Sequence, residues 1–135
     1  MIVVDTSALF AILDGEPEAA DLLGAAVQAE RVFLSAASHV ELQILTLRRL
    51  GPEGLKRLAA ILTNLRVGVV PFDRTQADIA LLCAERFGRG SGHAAKLNLG
   101  DCFSYALARS LDAPLLFKGD DFVHTDVRSA LPSPP

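Results

Sequence analysis

Ile2-Val3-Val4-Asp5-Thr6-Ser7 opens the chain with a β-branched run that stops at three residue types favoured at helix N-caps. The run reads as a short buried strand, and Ala8 to Leu13 behind it as a helix broken by Gly15. That strand-then-helix beat repeats. Pro17 opens a helix to about Ala29, and Val32-Phe33-Leu34 is a second strand. Ser38-His39-Val40-Glu41 has capping-box spacing and leads a helix ended by Gly51-Pro52. Leu55, Leu58, Ala59, Leu62 and Leu65 continue at helical spacing, and Val67 to Val70 is a third strand closed by Pro71. Thr75-Gln76-Ala77-Asp78 opens a further helix with Ala77, Ala80, Leu81, Ala84 and Phe87 on one face. After a glycine-bearing loop from Gly88 to Leu97, Gly100 to Leu111 forms a helix with Phe103, Ala106, Leu107 and Leu111 facing inward. Leu115-Leu116-Phe117 is a fourth strand, and Val123 to Val127 adds a short edge strand.

Alternating strands and helices predict an α/β fold with a mainly parallel sheet of four to five strands. Half of the residues are hydrophobic and 21% are charged, as expected of strands covered on both faces. The 135 residues suit one core, so a single domain is expected over 1–131, with Pro132, Pro134 and Pro135 marking a frayed tail at 132–135. No apolar run is long enough to span a membrane, and the N-terminus lacks a signal-peptide pattern. Cys83 and Cys102 have neither metal-ligand spacing nor a disulfide framework and read as reduced core thiols, so a cytoplasmic protein is expected. The formal charge of −3 runs against the usual basic balance of a nucleic-acid binder, so a face for such a partner must be local.

In parallel α/β sheets, ligands gather beyond the carboxyl ends of the strands. Asp5 follows the first strand there, and Asp120-Asp121 follow the fourth after Lys118-Gly119. Glu41 and Asp101 lie near helix N-termini. Each acid also has a structural reading: Asp5 as a cap, Glu41 as the partner of Ser38, Asp101 as a dipole-facing cap, and Asp120-Asp121 as a solvated turn. The set carries the functional reading, because other chemistries are missing. There is no GxxxxGKS/T phosphate loop, no GxGxxG after the first strand and no GxSxG elbow, and His39, His93 and His124 lack zinc-like spacing. Clustered carboxylates repel one another, and a hard divalent cation with oxygen ligands relieves that repulsion.

Four blocks together resemble the PIN-domain family, and within it the VapC-type toxins of toxin–antitoxin pairs. They are Ile2 to Leu9, Ser38-His39-Val40-Glu41, Asn98-Leu99-Gly100-Asp101-Cys102-Phe103-Ser104-Tyr105-Ala106, and Leu115 to Phe122. The resemblance spans nearly the whole chain. It implies a three-layer α/β/α sandwich and a Mg²⁺- or Mn²⁺-dependent endoribonuclease acting on single-stranded or loop RNA. It maps the family's first three acids onto Asp5, Glu41 and Asp101. A Lys-Gly-x-Asp-Phe pattern favours Asp121 as the fourth, with Asp120 as the alternative. The hydroxyl after the first acid maps onto Thr6 or Ser7, with Ser7 orienting a carboxylate or touching phosphate. A homodimer and a VapB-type antitoxin reaching near the active site are also implied.

On this reading Asp5, Asp101 and Asp121 bind metal, and Glu41 either ligates it or deprotonates the attacking water, leaving a 3′-hydroxyl and a 5′-phosphate; one-ion and two-ion versions both stay open. Arg89, His93 and Lys96 in the loop, with Lys118, are the candidates for RNA phosphate contacts. Arg48, Arg49, Lys56 and Arg57 read as solvated helix faces. A receiver-like signalling domain is the rival from another class, but it wants an acidic pair after the first strand, where Thr6-Ser7 stand here. A catalytically inactive PIN-like interaction module is the other alternative. A metal-dependent phosphatase wants an Asp-x-Asp pair, and Ser7 occupies its second position.

Overall fold

The computed structural model describes residues 1–132, of which only Pro132 belongs to the expected Pro-rich tail. The elements run β1 (Ile2–Val4), α1 (Thr6–Asp14), α2 (Ala19–Gln28), β2 (Val32–Ser35), α3 (Ala36–Asn64), β3 (Gly68–Val70), α4 (Arg74–Phe87), α5 (Leu99–Leu111) and β4 (Leu115–Leu116). The strands form one sheet in the order β3-β2-β1-β4, with every pairing parallel. Val3 sits between Phe33 on one side and Leu115 on the other.

Successive strand residues face opposite ways, and each face has its own helices. Ile2, Val4, Val32, Leu34 and Leu116 pack with Leu9, Leu22, Leu42 and Leu58 from α1, α2 and α3. Val3, Leu115 and Phe117 pack with Cys83 and Phe87 of α4 and Cys102, Tyr105 and Leu107 of α5. The result is the three-layer α/β/α sandwich. The chain leaves β1 toward β2 and β3, then returns through α4 and α5 to β4 on the far side of β1. Asp5 therefore emerges at the point where strand order reverses, where open parallel sheets leave a crevice.

Local chemistry sets the helix ends. Asp5 caps α1 by accepting from the Ser7 N–H, and Gly15 ends it at φ 65°. Asn98 and Asp101 form a reciprocal capping box on α5. Two expected caps lie elsewhere. Ser35, not Ser38, caps α3, because β2 runs directly into the helix and Ser38 is already buried in its first turn. Asp73, not the Thr75 segment, caps α4. The second helix begins at Ala19 rather than Pro17. The break expected at Gly51-Pro52 is present: Gly51 is non-helical at φ 69°, ψ −167°, so α3 is two helices joined at a kink.

The edge strand expected at Val123 to Val127 does not form. The Thr125 hydroxyl bonds to the Phe122 carbonyl, and Val123 N–H to the Asp120 carbonyl, so local turns take the groups a ladder needs. Ala77, Ala80, Leu81 and Ala84 do share a face of α4, but it borders an open groove, with Leu81 60% exposed. The buried residues of α4 are Gln76, Cys83 and Phe87. No helix among the described residues is long and apolar enough to cross a membrane.

Two glycine substitutions should act in opposite directions. Gly51→Ala forces a side chain into backbone geometry that favours glycine and should cost about 1–3 kcal/mol. Gly24→Ala, in α2 with open space around the added methyl, should gain about 0.5–1 kcal/mol. Urea unfolding midpoints that moved the same way would contradict this account.

Candidate active site

Asp5 ends β1 with its backbone N–H bonded to the Leu116 carbonyl of β4 at 2.9 Å. Its side chain is 4% exposed and held from both sides. Oδ2 accepts from the Ser7 N–H at 3.0 Å and the Ser7 hydroxyl at 2.6 Å. Oδ1 accepts from the Ser104 hydroxyl at 2.5 Å. Behind Ser104 lies Ser38, oxygen to oxygen at 3.3 Å, with both residues fully buried. Ser7 Oγ in turn accepts from the Lys118 N–H at 3.0 Å. Hydroxyls from α1 and α5 thus hold one carboxylate, with the Ser38 hydroxyl of α3 behind them.

Thr6 takes the other task. Its hydroxyl donates to Glu41 Oε1 at 3.1 Å, so the adjacent hydroxyl residues serve different acids. Glu41 is not the capping partner of Ser38. It stands on α3 with its carboxylate against Gly100 in the first turn of α5. Asp101 follows at once, its backbone N–H donating to Asn98 Oδ1 and its Oδ2 accepting from the Asn98 N–H. Asp101 is therefore both a helix cap and a member of the cluster. Asp5, Glu41 and Asp101 line one open cleft of about 620 Å³.

The charges strain against one another. Burial, opposed by the Asn98 N–H and reinforced by Asp5, Asp121 and Glu41, pushes the Asp101 carboxyl up to about 6. Burial also raises Glu41, with the Thr6 hydroxyl opposing and Asp5 adding. Among the described residues no lysine or arginine forms an ion pair with Asp5, Glu41, Asp101 or Asp121.

The fourth acid stands apart. Asp120 and Asp121 are exposed in the turn after β4, outside the cleft lining. Only Asp121 is among the charges that raise Asp101. None of the four cation candidates lines the acidic cleft. Arg89 lies at the apolar groove between α4 and α5, and Lys96 is exposed in the same loop. His93 packs edge-on against Phe87, centroids 4.9 Å apart, and its Nδ1 accepts from the Ala95 N–H. The Lys118 ammonium is bound by Glu16 and Glu18. Sequence reasoning set Arg48 aside, yet it lines the acidic cleft. It also passed over Ser104, whose three-residue spacing from Asp101 on one helix was the available signal.

A family model described as the PIN domain matches residues 2–128. The chain belongs to the PIN-domain family. The Mycolicibacterium smegmatis protein named Ribonuclease VapC is 47% identical over 126 residues, covering 93% of this chain and 97% of its own. The crystal structure of Mycobacterium tuberculosis VapC20, described as a sarcin-ricin-loop-cleaving toxin, matches with a TM-score of 0.76 at 22% identity, covering 98% of this chain and 100% of its own. VapBC2 from Rickettsia felis, bound to a DNA fragment from its promoter, matches with a TM-score of 0.74 at 15% identity, covering 96% of each chain.

PIN domains imply a divalent cation, and the donor chemistry here suits one. The cluster offers carboxylate oxygens, the ligands of a hard cation, and the Asp101 carboxyl is raised first by burial and further by the neighbouring acids, both of which a bound cation would oppose. Among the described residues no three acid, histidine or cysteine side chains already form a cage. Mutual repulsion spreads carboxylates, and Mg²⁺ retains several waters, so a loose cup is compatible with it.

The Asp101 shift predicts a pH effect on the metal-free PIN domain. A folded carboxyl at about 6, against an ordinary 3.8, binds its proton more tightly folded than unfolded. Its contribution to stability is therefore present at low pH and lost as pH rises through that window. In chelating buffer, Asp101→Asn should melt above the unsubstituted protein at about pH 7.5, and the gap should close near pH 4. A gap of the same size at both pH values, or none at the higher one, would refute the electrostatic account.

Proposed function

We propose that this PIN-domain chain is a divalent-metal-dependent endoribonuclease, the toxin member of a VapBC-type toxin–antitoxin pair. The observation that carries the reading is the meeting of Asp5, Glu41 and Asp101 around one cleft, with no lysine or arginine among the described residues ion-paired to any of them. The relatives' names supply the class of activity and partner. The receiver-like rival has no family support, and the chain's fold and family are those of nucleases of this kind.

In the proposed mechanism Asp5 and Asp101 hold Mg²⁺ or Mn²⁺, with Asp121 reaching it directly or through water. A bound ion would neutralise the carboxylates, acidify water and offset the charge that develops on a phosphodiester under attack. Ser7 and Ser104 fix the Asp5 oxygens in place. Glu41 Oε1 is taken by the Thr6 hydroxyl, which leaves Oε2 to help hold the ion, directly or through its bound water, and to accept that water's proton. The raised Glu41 carboxyl makes it a better base than an ordinary glutamate. Attack of the water at phosphorus with breaking of the P–O3′ bond would leave a 3′-hydroxyl, once O3′ takes up a proton, and a 5′-phosphate.

Arg48 at the cleft, with Arg89 and Lys96 nearby in sequence to Asp101, are the cations we assign to the RNA backbone. Lys118 is engaged by two glutamates and His93 by packing, which leaves both less free to meet a phosphate. The open groove of about 600 Å³ between α4 and α5, with Leu81 and Leu99 strongly exposed, offers apolar surface for an antitoxin segment or a second copy. We place the protein in the cytoplasm, where its RNA substrate resides and Cys83 and Cys102 stay reduced.

Two experiments test this. Asp101→Asn should lose RNA cleavage by about 10²-fold or more while folding normally, and chelation should silence the unsubstituted protein until Mn²⁺ is restored. Chelator-resistant cleavage by purified Asp101→Asn would defeat the assignment. Charge reversal of Arg89 and Lys96 should weaken RNA affinity and reduce its salt slope by about 0.7 for each phosphate no longer neutralised. Unchanged affinity would make that loop a connector only.

A further inference from the structure

We infer that Gly100 is a positioning residue for Glu41, its missing side chain forming the seat of that carboxylate. The inference rests on the reading of Asp5, Glu41 and Asp101 as the metal-binding and catalytic set. A glycine inside a helix weakens it relative to alanine, so its presence calls for a cause. Conformation is not the cause: Gly15, Gly51, Gly90, Gly92 and Gly119 have positive φ, and Gly100 does not. Space is the cause. A Cβ at Gly100 would stand 2.8 Å from both Cδ and Oε1 of Glu41, and nearer still to Oε2. The three nearest atoms to such a Cβ all belong to that one carboxylate.

The collision has an easy escape. Glu41 is exposed as a residue although its carboxylate is partly buried, so its flexible stem can swing that carboxylate outward without disturbing the core. What that movement removes is the approach of Glu41 to the first turn of α5, where Asp101 sits one residue on. Alanine at position 100 should therefore leave the fold intact and disable Glu41 alone.

The test is a double-substitution cycle on Mn²⁺ affinity, measured by titration calorimetry without RNA, with cleavage measured in parallel. Gly100→Ala should weaken Mn²⁺ binding by about tenfold or more, the size typical for residues that support metal ligands. Its melting temperature should stay at or above that of the unsubstituted protein. In a Glu41→Ala background the same substitution should change neither affinity nor cleavage, because nothing remains to displace. If Gly100→Ala alone failed to fold, the Glu41→Ala double variant should fold again; a double that stayed unfolded would overturn the inference. Native Mn²⁺ affinity in Gly100→Ala, or a loss that adds in full to that of Glu41→Ala, overturns it too. Native Mn²⁺ affinity in Glu41→Ala itself would instead sink the underlying site reading, and this inference with it.

Discussion

Everything about this molecule follows from gathering like charges at one edge of a parallel sheet. Parallel pairing sends every strand end, and the helix N-terminus behind it, to the same side. Asp5 at the end of β1, Glu41 in α3 and Asp101 in α5 thereby face one cleft. Burying them beside one another is the unsolved problem of the folded chain: burial first, and repulsion after it, push the Asp101 carboxyl upward. In the proposed mechanism a divalent ion solves it, and the solution is also the chemistry.

The sandwich exists to hold that strain. Its two apolar clusters lie on opposite faces of the sheet and owe nothing to the acids. Val3, Val4, Leu115 and Leu116 are fully buried around the point where Asp5 emerges. Burial of that kind stabilises by roughly 25 cal/mol for each Å² of apolar surface, which offsets the cost of carboxylates held close together. Stability and function thus occupy different parts of the chain: stability in the strand bodies, function at their ends.

Much of this was legible in the sequence, because its signals are local. β-Branched runs ending in capping residues mark β1 and α1, and the Asn98-to-Asp101 block marks α5. Errors arose where one local pattern competed with another. Ser38 and Glu41 have capping-box spacing, but Ser35 lies at the strand's end and caps first, freeing Glu41 to meet Thr6. Val123 to Val127 is β-rich in composition, yet Thr125 diverts the backbone into turns. The site's supporting residues were the least legible. Ser104 meets Asp5 across 99 positions of sequence, and Gly100 matters for an atom it lacks, so neither announces itself by residue type.

The choice of supporting groups is itself informative. Four hydroxyls, from Thr6, Ser7, Ser38 and Ser104, orient Asp5 and Glu41 directly or in relay. A hydroxyl fixes a carboxylate's direction without cancelling its charge, whereas an arginine or lysine would neutralise it and compete with an ion. Lys118 shows the same logic from the other side. Its backbone N–H completes the Ser7 relay, so the residue must stand beside the site. Its ammonium, left free, would be drawn to the acids. Glu16 and Glu18 bind it instead, and the cleft keeps the negative charge on which cation binding depends.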